Sequence, residues 1–222
     1  ASGGFVVPFI QPHYEWDFRL ERVKSINVSN HKFGLVYPGM GTVMFRDKSD
    51  LPEELIFHIN YLGGDMPNYS LNFSRPSSFI IAQYYNFLRL GRSGYQSIMD
   101  NIMANAKYLE QKLVGSGKFE LLTDAKFLPV CVVTLKDDSQ YNVYHISDML
   151  RERGWLVPAY SLPEDAQSVH VLRMVVKENF SRDMADMFLQ DLDAILKKLD
   201  TLATGTLKDL GTSHGTTKHR VC

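Results

Sequence analysis

The 222 residues carry 24 basic and 25 acidic side chains, a formal net charge of −1, with 45% hydrophobic and 22% charged residues. Such a balance suits a soluble globular protein with a real core and excludes nucleic acid or an anionic membrane as the main partner, since both select for excess Lys and Arg. Two cysteines make no disulfide framework, which points to a reducing, cytoplasmic setting, and no apolar stretch is long enough to span a bilayer.

The chain opens at Ala1 in the small-residue run Ala1-Ser2-Gly3-Gly4, ahead of Phe5-Val6-Val7, without the basic-then-apolar layout of a leader. It reads like the middle of a strand-to-loop transition, so a fragment of a longer chain is expected. Short apolar runs at 23–28 and 41–46 predict strands, joined by Ser29-Asn30-His31-Lys32-Phe33-Gly34 and the turn-rich Tyr37-Pro38-Gly39. Residues 57–76 contain Gly63, Gly64, Pro67 and Pro76, too many breakers for a long element, and read as loop. From Phe79 to Leu88 the run is apolar on nearly every side and ends at Gly91, which predicts a helix buried all round in a large core or a subunit interface. An amphipathic helix follows, with Tyr95, Ile98, Ile102, Ala106, Leu109 and Leu113 spaced by threes and fours up to Gly115.

Beyond Gly117 the pattern changes. Strands are expected at 119–123, 130–135, 155–159 and 169–176, with a helix between the second and third that Gly154 ends. Ser181 caps a last helix carrying Met184, Phe188, Leu192, Ile195 and Leu199. The order β-β-α-β-β-α suits a small α+β sandwich over residues 116–200, with a tail at 201–222 rich in Gly, Thr and Lys.

The sharpest chemical feature is Ser29-Asn30-His31-Lys32 between a strand and a glycine. A lysine condenses with an aldehyde only when its amine is unprotonated, and burial beside a cationic neighbour lowers its pKa toward that state. Phe33, Gly34, Leu35 and Val36 offer an apolar surround for Lys32, while Ser29 and His31 carry groups able to hydrogen-bond a phosphate. Taken alone, the dipeptide equally describes a surface lysine next to a core histidine. Arg173 stands out for another reason. Strand alternation places it on one face with Val169, Val171 and Val175, a costly setting for a guanidinium unless an anion pairs with it. That anion is either a structural carboxylate or a substrate.

The surrounding motifs decide between the readings of Lys32. Ala1-Ser2-Gly3-Gly4-Phe5, Trp16-Asp17-Phe18-Arg19, Val23-Lys24-Ser25-Ile26 and the His31-Lys32 turn together resemble the group II decarboxylases dependent on pyridoxal 5'-phosphate (PLP). Leu51-Pro52-x-Glu54-Leu55, Tyr61-Leu62-Gly63-Gly64, Asn72-Phe73-Ser74-Arg75-Pro76, Gln83-Tyr84-Tyr85 and Gly154-Trp155-x-Val157-Pro158-Ala159 are similar to the glutamate decarboxylase branch, in order over nearly all of 1–200. The resemblance implies an α/β fold in which residues 1–115 form the C-terminal part of a PLP-binding, transferase-like large domain, incomplete at its N-terminus. The small domain and the tail follow it.

It further implies that Lys32 carries PLP as a Schiff base, that Ser29 and His31 contact its phosphate, and that Ala1 packs against its ring. A serine matching Ser74 would reach the phosphate from a neighbouring subunit of a dimer-based homo-oligomer. Tyr61 would lie on a loop near that site, where an ordinary loop aromatic is the alternative. Arg173 would bind a substrate carboxylate. No metal is expected. The implied reaction is decarboxylation of L-glutamate to 4-aminobutanoate and carbon dioxide. Another amino-acid decarboxylase or PLP lyase of the same fold is an alternative, as is an inactive truncated product acting as an interaction partner. The aspartate that pairs with the PLP ring nitrogen in the family would precede Ala1, so the chain by itself is expected to be inactive. The ending Lys218-His219-Arg220 faintly resembles a bacterial tail whose histidine plugs the active site, against the alternative of a solvated tail without function.

Overall fold

The computed structural model describes residues 2–61, 63–69 and 76–203. Its chain divides into two compact units, Ala1–Asp100 and Asn101–Cys222. The first is built from short pieces. A 3-10 turn at Ser2–Phe5 leads into the one-turn helix α1, Val7–Ile10, with Pro8 near its start, where a missing N–H costs nothing. Strand β1, Ser25–Val28, pairs antiparallel with β2, Thr42–Phe45, in register Ser25 to Phe45 and Val28 to Thr42. Between them sits α2, Asn30–Phe33, a single turn of helix. The expected strands are therefore present, each two residues shorter than its apolar run.

Residues 57–68 depart from the expected loop. Strand β3, Phe57–Ile59, pairs with β4, Met66–Asn68, as a two-stranded ribbon. Pro67 is compatible with it because both strands are edges, where a residue without an N–H takes no bond from a neighbouring strand. Across the connecting loop the His58 ring nitrogen Nδ1 meets both carboxylate oxygens of Asp65 at 2.9 Å.

Helix α3, Ser78–Gly115, is two helical arms that meet at Gly91, whose φ of 57° and ψ of −167° only glycine adopts without strain. The first arm corrects the expectation of burial all round. Gln83 is 2% exposed, but Ile81 and Leu88 are 63% and 69% exposed, and Ile80, Tyr84 and Tyr85 share that open face. Among the described residues the arm is held through Gln83, Asn86, the Phe79 ring against Tyr37 and the Phe87 ring, which lies against Phe5 and Tyr95. The second arm follows most of its predicted periodicity: Tyr95, Ile102, Ala106, Leu109 and Leu113 are buried, while Ile98 is half-buried and its neighbour Met99 takes the core position.

The second unit adds a four-stranded sheet. Strands β5 (Phe119–Thr123), β6 (Val130–Leu135), β7 (Ala159–Ser161) and β8 (His170–Val175) lie in the order β5-β6-β8-β7, all antiparallel. Helix α4, Val143–Glu152, precedes β7, and α5, Arg182–Ala203, follows β8. Asn142 caps α4, accepting from the Tyr144 and His145 amides, and Ser181 caps α5 by accepting from the Met184 amide. One sheet face is apolar and closed: Cys131 pairs with Met174 and Val133 with Leu172, and all four are buried, as are Ile146, Leu150, Phe188, Leu192 and Ile195 from the helices. Strand β7 begins four residues later than expected. Pro158 has no N–H to give a ladder, and the Trp155 indole is tied instead to Asp191 at 2.8 Å.

Two buried groups in this unit are chemically unusual. Glu110 is 7% exposed, and its Oε1 has no hydrogen-bond partner among the described residues. Burial pushes its carboxyl above the ordinary range, the Ala125 amide pulling back and the charge of Asp124 adding to the rise. Cys131 is fully buried, and burial, with a smaller effect of the Glu110 charge, pushes its thiol up to about 12.

Candidate active site

The Lys32 turn is set by a strand edge on one side and a helix on the other. β1 ends at Val28, Ser29 takes extended geometry, and α2 starts at Asn30. A four-residue helix has no stability of its own, so tertiary bonds must hold it. The His31 backbone N–H donates to the Met40 carbonyl at 3.1 Å, and the ring Nδ1 meets the same carbonyl at 2.7 Å. A carbonyl only accepts, so Nδ1 carries the proton, and Nε2 is the ring position left for a ligand.

The far side of the turn rests on a buried polar network. Thr42 donates to Asn30 Oδ1 at 2.8 Å, and Asn30 Nδ2 donates to Gln83 Oε1 at 3.0 Å. Gln83 Nε2 donates to the Gly34 carbonyl at 3.2 Å and to the Tyr95 hydroxyl at 3.0 Å, and that hydroxyl donates to the Gly34 carbonyl at 2.9 Å. Burial pushes the Tyr95 phenol up, which keeps it a donor. One turn along the helix, Asn86 Nδ2 donates to the carbonyl of Leu35 at 2.8 Å, and Leu35 has a left-handed φ of 63°.

Ser29, His31 and Lys32 are thus brought together on one turn. The Ser29 hydroxyl makes no capping bond to α2. The expected apolar surround of Lys32 is corrected: Phe33 and Gly34 are buried, but Lys32 itself points outward and is exposed. Consecutive residues on one helical turn face different sides, so buried neighbours in sequence did not carry Lys32 inward. Tyr61 sits in the loop of the β3–β4 ribbon and is 78% exposed. Ala1, Ser74 and His219 lie outside the described residues.

Arg173 belongs to the second unit and also departs from its expected setting. Val171 is buried, but Arg173 and Val175 are exposed, so the guanidinium keeps its water and needs no buried anion. Its backbone N–H donates to the Pro158 carbonyl at 3.1 Å, and its guanidinium carbon lies 5.9 Å from the centre of the Tyr160 ring. Among the described residues it has no ion pair. The alternation was correct; which part of the valine face is covered depends on packing that alternation does not encode.

Sequence reasoning missed Asn30, Thr42, Gln83, Asn86 and Tyr95 as a group. One signal was available: Gln83 and Asn86 are polar, three residues apart, in an otherwise apolar helix, the spacing of a single helical face. Among the described residues no group of three or more His, Cys, Asp or Glu could hold a metal ion.

A lysine, a serine and a histidine thus stand together on one strand-to-helix turn. A profile of the pyridoxal-dependent decarboxylase conserved domain matches residues 1–134, and the chain belongs to that family. Within it the chain is similar to glutamate decarboxylases. It is 53% identical over 202 residues to glutamate decarboxylase 3 of Arabidopsis thaliana, covering 91% of this chain and 40% of the relative. To glutamate decarboxylase beta of Listeria monocytogenes it is 47% identical, covering 90% of this chain and 44% of the relative. Among solved structures, glutamate decarboxylase of Lactobacillus brevis superposes with a TM-score of 0.85 at 45% identity, covering 90% of this chain and 46% of that one. The chain therefore spans less than half the length of these relatives.

Proposed function

We propose that the protein, in its full length, is a PLP-dependent glutamate decarboxylase that converts L-glutamate to 4-aminobutanoate and carbon dioxide. The observation that carries this reading is the Ser29-x-His31-Lys32 turn within a chain about half identical to glutamate decarboxylases over nine-tenths of its length. The residues fit the cofactor. Lys32 offers an outward-facing amine, the Ser29 hydroxyl is not spent on capping and can donate to a phosphate, and His31 Nε2, turned away from the Met40 carbonyl, donates there when the ring is the imidazolium. When bound, PLP supplies an electron sink for the bond that breaks.

The chain's own contributions are positional. Lys32 would hold the cofactor through its amine, and Ser29 and His31 would hold its phosphate end. Ala1 and Ser74, outside the described residues, are proposed as further cofactor contacts, Ser74 acting across a dimer-based homo-oligomer. Arg173 pairs with a substrate carboxylate, exchanging water for a charge-assisted bond that its open strand face makes accessible. Tyr61 contributes from its exposed loop near the site. Residues 1–115 form the end of the PLP-binding large domain, residues 116–200 a small α+β domain and 201–222 a tail, the whole working in the cytoplasm as a soluble enzyme. No helix among the described residues is long and apolar enough to cross a membrane.

The test is made in the full-length enzyme. Lys32→Ala is expected to lose the visible absorbance of the PLP-bound enzyme and all carbon dioxide release from labelled glutamate, with the fold retained by circular dichroism. Arg173→Met is expected to lower kcat/KM by about tenfold or more while PLP affinity stays close to wild type. Borohydride fixation of PLP to a different lysine would exclude the Lys32 assignment, and unchanged kinetics in Arg173→Met would make that arginine structural.

A further inference from the structure

Holding PLP requires more than an amine; the amine must arrive at one place. α2 is a single turn, and Lys32 sits two residues from Asn30 on one side and two from Gly34 on the other. Both of these flanking residues are bonded to the same side chain. Gln83 accepts from Asn30 through Oε1 and donates to the Gly34 carbonyl through Nε2, spanning the turn with one planar amide. Its remaining N–H goes to Tyr95, whose hydroxyl also donates to Gly34, so every strong donor and acceptor of the amide is used.

The direction of the network is fixed. The Gly34 carbonyl cannot donate, so the amide nitrogen must face it, and Asn30 must then donate to the oxygen. Gly34 itself fits this clamp for a steric reason: a Cβ there would lie 2.5 Å from the Asn30 carbonyl oxygen and 2.7 Å from Gln83 Oε1. Its φ of −76° shows that backbone freedom is not why glycine is used. Asn86, on the same helical face, takes the Leu35 carbonyl just beyond.

From this geometry we infer that Gln83 is a positioning residue, an amide clamp that sets where the Lys32 amine is presented to the cofactor, with Tyr95 as its brace. The inference rests on the assignment of Lys32 as the PLP-bearing lysine. Neither a carboxylate nor a thioether can replace the clamp. Gln83→Glu, when ionised, turns its donor into an acceptor facing the Gly34 carbonyl, and Gln83→Met loses both kinds of bond at similar length.

The experiment uses the full-length holoenzyme with Gln83→Glu, Gln83→Met, Tyr95→Phe and, as a packing control, Met99→Ala, which empties part of the buried core of the same unit and removes none of the clamp's hydrogen bonds. The readouts are the rate of PLP release, the rate at which borohydride fixes PLP to Lys32, and kcat and KM for glutamate. Both Gln83 variants are expected to release PLP about tenfold faster and to lose about tenfold in kcat with KM little changed, while Met99→Ala lowers Tm but holds its PLP. Tyr95→Phe, which removes one hydroxyl and folds even if the Gln83 variants do not, is expected to release PLP roughly threefold faster. Wild-type release rates in the variants that fold would overturn the clamp, as would equally fast release from a Met99→Ala enzyme of matched Tm. PLP fixed to Lys32 in wild type, with the variants unchanged, would sink only the clamp; PLP fixed elsewhere would sink the Lys32 assignment with it.

Discussion

The two units solve the problem of stability differently. In the second, a four-stranded antiparallel sheet closes one apolar face under α4 and α5, and the largest side chains of that core, Phe119, Ile146 and Leu150 among them, are sealed from solvent. The first unit has two-stranded ribbons, one-turn helices and an arm of α3 with an apolar face open to solvent, and a buried polar network runs through it. Hydrophobic burial is non-directional and tolerates adjustment, whereas a saturated hydrogen-bond network specifies one arrangement. The unit that carries the proposed PLP lysine uses the second device around its short turn.

The contrast can be sharpened by substitution. The largest effect is expected at Phe119→Ala, where a fully buried ring is lost from the second unit; a cost of about 3–5 kcal/mol should appear in urea unfolding. A cost below about 1 kcal/mol would mean that the sheet's core is not closed in solution.

Glu110→Gln comes next and has a pH signature. The folded-state pKa of Glu110 is raised, so its favourable contribution is present below the unfolded value and fades as pH rises through the folded one. As pH rises above the ordinary carboxylate range, the Tm of the Gln variant should gain on that of wild type. Parallel profiles would show that Glu110 reaches water.

Asp200 has the opposite slope. The hydrogen bond from Lys118 holds its carboxyl below the usual range, so its contribution is present above the unfolded value and is lost as pH falls through the folded one. Both partners are largely exposed, so Asp200→Asn should cost about 1 kcal/mol or less, and less still in high salt. Smallest of all, Leu88→Ser on the open face of the first unit should change stability by about 0.5 kcal/mol or less and reduce self-association in light scattering. A cost like that of Phe119→Ala would show that this face is covered in solution.

How much of this was legible in the sequence follows the same division. The second unit obeyed its periodicities: β5, β6, α4, β8 and α5 fell where alternation and helical spacing placed them, because each buries one face against the same core. Only Pro158 shifted β7. In the first unit the turn chemistry at Ser29–Lys32 was readable as a motif, yet its support was not. Gln83 reads locally as a polar interruption of an apolar run; its meaning depends on Asn30, 53 positions away. Arg173 was placed on the right strand and Lys32 in the right connection, though not in its one-turn helix, and both were given the wrong exposure, because burial depends on what the rest of the fold brings over a face.

The sealed thiol of Cys131 gives the second unit a clock. With its pKa pushed to about 12 and its sulfur behind the sheet, it reacts with a disulfide reagent only in molecules whose β6–β8 pairing has opened. Where opening is rapid and reclosing faster still, the labelling rate at that cysteine, resolved by peptide mapping from that at Cys222, measures the free energy of the opening directly. The residue that contributes least to reactivity in the native fold thus times how often the core comes apart.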